Sequence, residues 1–344
     1  MKVVVTGATG NVGTSVVKAL AAERTVTDVL GVARRRPGLR IPKVRWAEVD
    51  IDPGRADLAE VFAGADAVVH LAWRFQPTHD PVVTWRTNVL GSIGVFEACA
   101  RAGVRALVHA SSVAAYSPGP ADGRPVDESW PTHGWPGAAY TREKAYLERC
   151  LDGFQLAHPG MRVVRLRPAF LFKEGAADEQ RRIFAGPLLP WRLIRPGLLP
   201  AVPAVSGLRF QALHTDDAAA AYRAAVMRPV HGPFNLVADP VLDMAAVAGL
   251  LRSRTLPLPA GAARAALAAA WRLHLVPATP GLLDAVLRLP LLDAGRARDE
   301  LGWVPSATAT EAVAAFIEGL HLGEGIDTPP LASVGSGAGH RGRT

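Results

Sequence analysis

The sequence predicts an α/β protein: a doubly wound parallel sheet with a smaller, discontinuous C-terminal lobe. Three observations carry that expectation. Short, continuously apolar runs alternate with helix-like segments through the first half, the pattern of strands buried on both faces beneath crossover helices. A turn with three glycines separates the first run from the first helix. After Pro168 the texture changes to a proline-, leucine- and arginine-rich stretch of little periodicity, which reads as the start of a substrate-facing lobe.

Taken in order, residues 2–6 read as the first strand and 11–22 as the first helix. Strands follow at 29–33, 44–49 and 67–71, then a helix over 84–102. Residues 106–110 form the next strand, 140–154 a helix and 163–167 a further strand. Beyond Pro168 the chain revisits the sheet with a helix over 216–227 and a strand at 234–237. Asp243 is an N-cap candidate opening a second lobe segment. Residues 327–344 are rich in Gly, Ser and Pro and read as a disordered tail.

Composition narrows the function classes. Of 344 residues, 49% are hydrophobic and 20% charged, which supplies a packed core and excludes a disordered chain. The most apolar region, 244–278, is broken by Arg252, Arg254, Arg264 and Arg272, so no membrane span is expected. Met1–Val5 reads as a strand start and lacks the apolar run of a signal peptide. Cys99 and Cys150 make neither a disulfide framework nor a metal-ligand spacing, so a reducing cytoplasm and no metal are expected. The net charge is +7, but the arginines are scattered and no basic-aromatic module accompanies them. Nucleic acid is therefore not an expected partner.

Gly7-Ala8-Thr9-Gly10-Asn11-Val12-Gly13 lies where a strand ends and a helix begins. There one glycine makes the tight turn, one admits the backbone to a pyrophosphate and one allows close helix–sheet packing. The helix start adds free N–H groups and a positive dipole end. A Rossmann-type dinucleotide site follows. It predicts a nucleotide domain over 1–168, its sheet completed by 213–240, with the lobe at 169–212 and 241–320. The second strand ends Ala33-Arg34-Arg35-Arg36 without the carboxylate that holds an NAD ribose. Arg34 and Arg35 lean the reading toward NADP over NAD, although a solvated basic loop explains them equally well.

Tyr140 and Lys144 stand at i and i+4 on one helix face. A neighbouring ammonium lowers a phenol's pKa and makes it a usable proton donor or acceptor. Ser112 directly follows the strand 106–110, at the sheet edge where doubly wound folds bind ligands. Its hydroxyl is placed to polarise a substrate oxygen.

With these pieces the chain resembles an extended short-chain dehydrogenase/reductase of the NAD-dependent epimerase/dehydratase superfamily. The resemblance rests on the TGATGNVG opening, Asp50-Ile51, His70-Leu71-Ala72, Asn88, Ser111-Ser112 before Tyr116, and Tyr140 with Lys144. It continues through Arg167-Pro168, His214-Thr215-Asp216-Asp217 and Leu301-Gly302-Trp303-Val304-Pro305. It implies Ser112, Tyr140 and Lys144 as the catalytic triad. It also implies Asp50 and Ile51 beside the adenine, Leu71 and Ala72 along the cofactor, and Arg167 and Pro168 near the nicotinamide. Asn88 either supports the proton path or merely kinks its helix. The helices 84–102 and 140–154 correspond to a homodimer face in that family.

Departures from the family pattern sort the activities. Val113-Ala114 replaces the Asp-Glu pair of the dehydratases, leaving no acid to expel a hydroxyl. Pro168-Ala169-Phe170-Leu171 lacks the asparagine that nucleotide-sugar epimerases carry shortly after this strand, and Phe210 stands at the position of their diphosphate-binding arginine, with Arg209 one residue out. Arg181, Arg182, Arg192 or Arg195 remain candidates for a diphosphate, or are solvated lobe arginines. Trp73, Phe75, Trp85, Trp130, Trp135 and Phe170 are candidates to line an apolar or aromatic pocket, or are packing. The reading is an NAD(P)-dependent oxidoreductase interconverting a ketone and a secondary alcohol of a small-molecule substrate. A nucleotide-sugar epimerase is the alternative, and a non-catalytic NAD(P)-sensing protein the second alternative.

Overall fold

The computed structural model describes residues 1–76, 78–186, 194 and 196–332. The first half runs β1 (Lys2–Thr6), α1 (Asn11–Ala22), β2 (Asp28–Ala33), β3 (Val44–Glu48), α2 (Leu58–Phe62), β4 (Ala67–His70) and α3 (Pro81–Trp85). A π-helical turn at Arg86–Leu90 leads into α4 (Gly91–Arg101), then β5 (Ala106–Ala110), α5 (Ala139–Ala157) and β6 (Arg162–Pro168). Then come β7 (Phe170–Phe172), α6 (Ala177–Phe184), β8 (Ala201–Val205), β9 (Arg209–His214), α7 (Thr215–Met227), β10 (Gly232–Leu236) and β11 (Ala238–Asp243). The remainder is α8 (Met244–Leu250), β12 (Arg254–Leu258), α9 (Ala260–Arg272), α10 (Pro280–Val286), α11 (Gly295–Leu301) and α12 (Ala309–Leu322).

Among the described residues, seven strands form one sheet in the order β3-β2-β1-β4-β5-β6-β10, and each neighbouring pair is parallel. The apolar runs explain why. Val3 and Val5 point into the core with Val16, Val17 and Leu20 of α1 and Tyr222 of α7. Val4, between them, points to the opposite core with Phe62, Phe96, Leu107 and Leu147. Side chains alternate faces along a strand, so only a run apolar at every position satisfies both layers. The strand order reverses between β1 and β4, and the crevice at such a switch point is where these sheets take ligands.

The lobe adds a three-stranded sheet, β11-β9-β7, and a two-stranded one, β12-β8. Two of the sequence motifs meet here. The Trp303 indole donates to the Asp217 carbonyl at 2.8 Å, and the Asp217 carboxylate accepts from the backbone of Ser306 and Ala307. No described helix is long and apolar enough to cross a membrane.

One expectation is corrected. Residues 327–332, read from composition as the start of a disordered tail, pack against the body. Leu331 and Thr328 are buried, and the segment closes on itself through Ile326 N–H to Leu331 O and Leu331 N–H to Thr328 O. Two buried side chains outweigh what the prolines and glycines indicate. Residues 333–344 of that tail lie outside the described residues.

Candidate active site

The glycine turn packs as its chemistry requires. A Cβ on Gly7 would stand 2.6 Å from the Ala72 nitrogen, and one on Gly13 would stand 2.2 Å from the Gly7 oxygen. Backbone therefore touches backbone at both ends of the turn. Gly10, the N-cap of α1, offers no side-chain cap, so the N–H groups of the first turn remain available to an anion. The residues fit a dinucleotide: Thr9, Gly10, Asn11 and Val12 would hold the pyrophosphate, with Leu71 and Ala72 on the facing lip. Ile51 is buried at the far end against Gly91. The Asp50 carboxylate accepts the Asp52 N–H at 3.2 Å, a local turn bond.

Sequence reasoning missed Lys173. Its ammonium is buried in the first turn of α1, donating to Asn11 O at 2.5 Å, Thr14 Oγ1 at 2.7 Å and Ser15 Oγ at 3.0 Å. Burial lowers its pKa to about 8. A cation at a helix start opposes the dipole unless an anion shares the site. The available signal was scarcity, since Lys173 is one of five lysines in the chain.

Ser112, Tyr140 and Lys144 converge beside this crevice. Ser112 follows β5 and caps the turn Val113–Ala115 by accepting the Ala114 N–H at 3.1 Å. The Gly134 N–H bonds Ala115 O, which brings the start of α5, and with it Tyr140, back over Ser112. The Lys144 ammonium donates to Ala110 O at 2.7 Å. It lies 3.4 Å from the Trp73 ring centroid and 5.9 Å from that of Tyr140. Trp73 meets Tyr140 edge-on at 5.6 Å, and Phe75 stacks on it at 5.4 Å.

These aromatics overturn the expected electrostatics. Burial pushes the Tyr140 phenol up to about 12, against the lowering effect of its hydrogen bond with Ser112. Burial also lowers Lys144 to about 7, despite the carboxylates of Glu143 and Glu148. The ammonium is turned to a carbonyl and an indole rather than to the phenol, so the anticipated depression of the tyrosine does not occur.

A stability prediction follows from Lys144. Its folded-state pKa lies below its unfolded value of 10.5, so between about pH 7 and 10.5 the unfolded chain binds more protons and stability rises with pH. Lys144→Met should raise the melting temperature by a few degrees at pH 6 and flatten that rise. A thermal scan showing the variant melting lower than wild type at pH 6 would defeat this account.

Asn88 lies in the π-helical turn, a feature common at functional sites. Its side chain accepts the Arg74 N–H and donates to Arg74 O and to Glu143 Oε2 at 2.7 Å. Thr84 donates to the other Glu143 oxygen at 2.6 Å. Asn88 thus fixes the stretch after β4 and the carboxylate beside Lys144. His70 is held between Thr6 and Ser92, and burial lowers its pKa to about 3, which keeps it neutral.

Arg167 is spent elsewhere. Its guanidinium pairs with both oxygens of Glu148 at 2.9 and 2.8 Å and donates to Tyr116 Oη and Glu128 O. The residue is 3% exposed, and its guanidinium is taken up by these partners. Arg181 pairs with Asp178 at 2.6 Å, and Arg182 donates to Pro330 O. Arg192 and Arg195 lie outside the described residues. Of the aromatic candidates, Trp73 and Phe75 meet Tyr140, while Phe170 meets Phe210 edge-on at 5.9 Å. Trp85 packs against Tyr146, Trp130 bonds Pro118 O and Trp135 packs under Arg288.

The stretch carrying Trp73 and Phe75 is clasped to the lobe. Thr78 donates to Pro277 O at 2.6 Å and accepts from the Trp271 indole. His79 is sandwiched between Trp271 and His274 at 4.2 and 4.1 Å.

The chain belongs to the NAD dependent epimerase/dehydratase family, which its residues 3–236 match. It is 38% identical over 112 residues to L-arabinose 1-dehydrogenase (NAD(P)(+)) of Haloferax volcanii, covering 32% of this chain and 41% of that one. It is 28% identical over 227 residues to UDP-glucose 4-epimerase of Neisseria meningitidis serogroup C, covering 60% of this chain and 65% of that one. In each case the match spans less than two thirds of the relative. The fold is shared with the UDP-glucose 4-epimerase of Thermus thermophilus in complex with NAD, at a TM-score of 0.68 and 21% identity over 93% of this chain and 99% of that one. It is shared also with that of Stenotrophomonas maltophila with bound NAD and formylated UDP-arabinopyranose, at 0.70 and 20% over 94% and 98%.

Proposed function

We propose that the chain interconverts a ketone and a secondary alcohol on an apolar or aromatic small molecule, using NAD(P) and the residues Ser112, Tyr140 and Lys144. The observation that carries this reading is the aromatic lining. Phe75 and Trp73 lie on Tyr140, and Phe170 meets Phe210, the residue that stands where the resemblance places a diphosphate-binding arginine. Arg181 and Arg182, two of the alternative diphosphate ligands, have protein partners.

A bound nicotinamide supplies or accepts the hydride. The chain's own groups do the rest. Ser112 holds the substrate oxygen beside Tyr140, whose hydroxyl gives or takes the proton at that oxygen. Lys144, one turn from Tyr140 and held to Ala110 O, favours the phenolate as the proton leaves when it is protonated. Trp73 and Phe75 exclude water, which strengthens each of these contacts. At the ribose end, the exposed Arg34 and Arg35 offer charge to a 2′-phosphate, the contact that would favour NADP.

Similarity to UDP-glucose 4-epimerase supports a second reading, an epimerase that retains its cofactor. One experiment separates the two. Purified protein is given NADPH or NADH with a panel of aryl and alkyl ketones, and separately UDP-glucose with NAD. The expected result is ketone-dependent loss of reduced cofactor. Conversion of UDP-glucose to its C4 epimer with no net cofactor consumption would reject the reductase.

A further inference from the structure

The carboxylate that doubly wound sheets usually carry at the end of the second strand is missing here, where the chain reads Ala33-Arg34-Arg35-Arg36. The structure brings one to the same loop from the opposite end of the described chain. Thr328, 2% exposed, donates its hydroxyl to the Thr9 carbonyl of the glycine turn at 2.9 Å. Next to it, the Asp327 carboxylate lies so close to Gly38 that a Cβ there would stand 2.3 Å from Oδ2. Thr9 follows β1 and Gly38 follows β2, so the segment bridges the two loops that border the adenosine ribose in this kind of sheet.

The bridge is anchored rather than loose. Leu331 is buried, Arg182 donates to Pro330 O at 2.8 Å, and Ile326 packs where Gly175 has no side chain. Asp327 itself stays exposed. Its position is set by buried neighbours while its charge faces the basic loop and whatever binds there.

We propose that Asp327 selects between the two nicotinamide dinucleotides, accepting the ribose hydroxyls of NAD and opposing the 2′-phosphate of NADP. The proposal rests on the dinucleotide reading above. Arg34 and Arg35 attract a 2′-phosphate, and a carboxylate fixed across the same pocket repels it. All three side chains are exposed, so solvent screens attraction and repulsion alike, and the carboxylate offsets what the arginines offer.

The test is binding rather than turnover. Dissociation constants for NADH and NADPH are measured by fluorescence titration of the full chain, as wild type, Asp327→Asn and Asp327→Lys. The side chain is exposed and both variants keep the buried anchors, so the fold is retained. Asp327→Asn should shift the affinity ratio toward NADPH by about tenfold, and Asp327→Lys should carry it further. Ratios within about twofold of wild type in both variants, with both nucleotides still bound, overturn the role of Asp327 alone. Failure of the wild type to bind either nucleotide overturns the dinucleotide reading, and this proposal with it.

Discussion

Tyr140→Phe should cut turnover by about 10²–10⁴-fold, the range that a positioned proton donor contributes, while leaving dinucleotide affinity within about twofold of wild type. The variant removes one oxygen and keeps the ring, so the contacts of Phe75 at 5.4 Å and Trp73 at 5.6 Å persist. The phenol would lose its hydrogen bond with the Ser112 hydroxyl, and Ser112 keeps its bond to the Ala114 N–H. Stability should therefore change little. Steady-state rates beside a nucleotide titration decide the matter. A variant that turns over as fast as wild type would remove Tyr140 from the chemistry.

The second large effect is on stability. Glu148→Gln should cost about 3–5 kcal/mol, the usual loss when one partner of a buried ion pair is removed. Glu148 is 1% exposed and accepts from Arg167 at two atoms, from Arg165 at 3.0 Å and from Ser111 at 2.5 Å. A neutral amide leaves two buried guanidinium groups facing it without compensation for Arg167.

Burial acts to raise the Glu148 pKa, but the hydrogen bond and charge of Arg167, with Arg165 and Ser111, hold it at about 2. A depressed carboxylate stabilises the fold fully above its unfolded value, 4.5, and loses that contribution as pH falls toward 2. Urea titrations across pH 2–7 should show an acid limb in wild type that is weaker in Glu148→Gln. A loss below about 1 kcal/mol at pH 7 would mean that the network is worth no more than a surface pair.

The legible part of the protein was the part governed by local pattern. Short apolar runs such as Val3–Val5 and Ala106–Val108 marked strands buried on both faces. The spacing of Tyr140 and Lys144 marked one helix face. The lobe strands were illegible because Ala201–Val205 and Arg254–Leu258 carry proline and lie largely at the surface, so neither period nor composition distinguishes them from loop.

At the site, residue types were readable but their environment was not. Burial raises the Tyr140 phenol where spacing had suggested a lowering, and spacing alone does not reveal an indole lying on an ammonium. Asn88 was seen as a kink or a relay. The structure makes it a clamp, joining Arg74 to Glu143 through a widened helical turn. Thr328 reaches Thr9 across the length of the chain, where no local rule applies.

The stretch that shields Tyr140 is the same one whose Thr78 and His79 grip Trp271 and Pro277 in the lobe. Phe75 and Trp73 on the phenol and the contacts to the lobe therefore belong to one stretch of chain. The cover over Tyr140 and the lobe are thus joined through the same few residues, so a substitution at Thr78 acts on both.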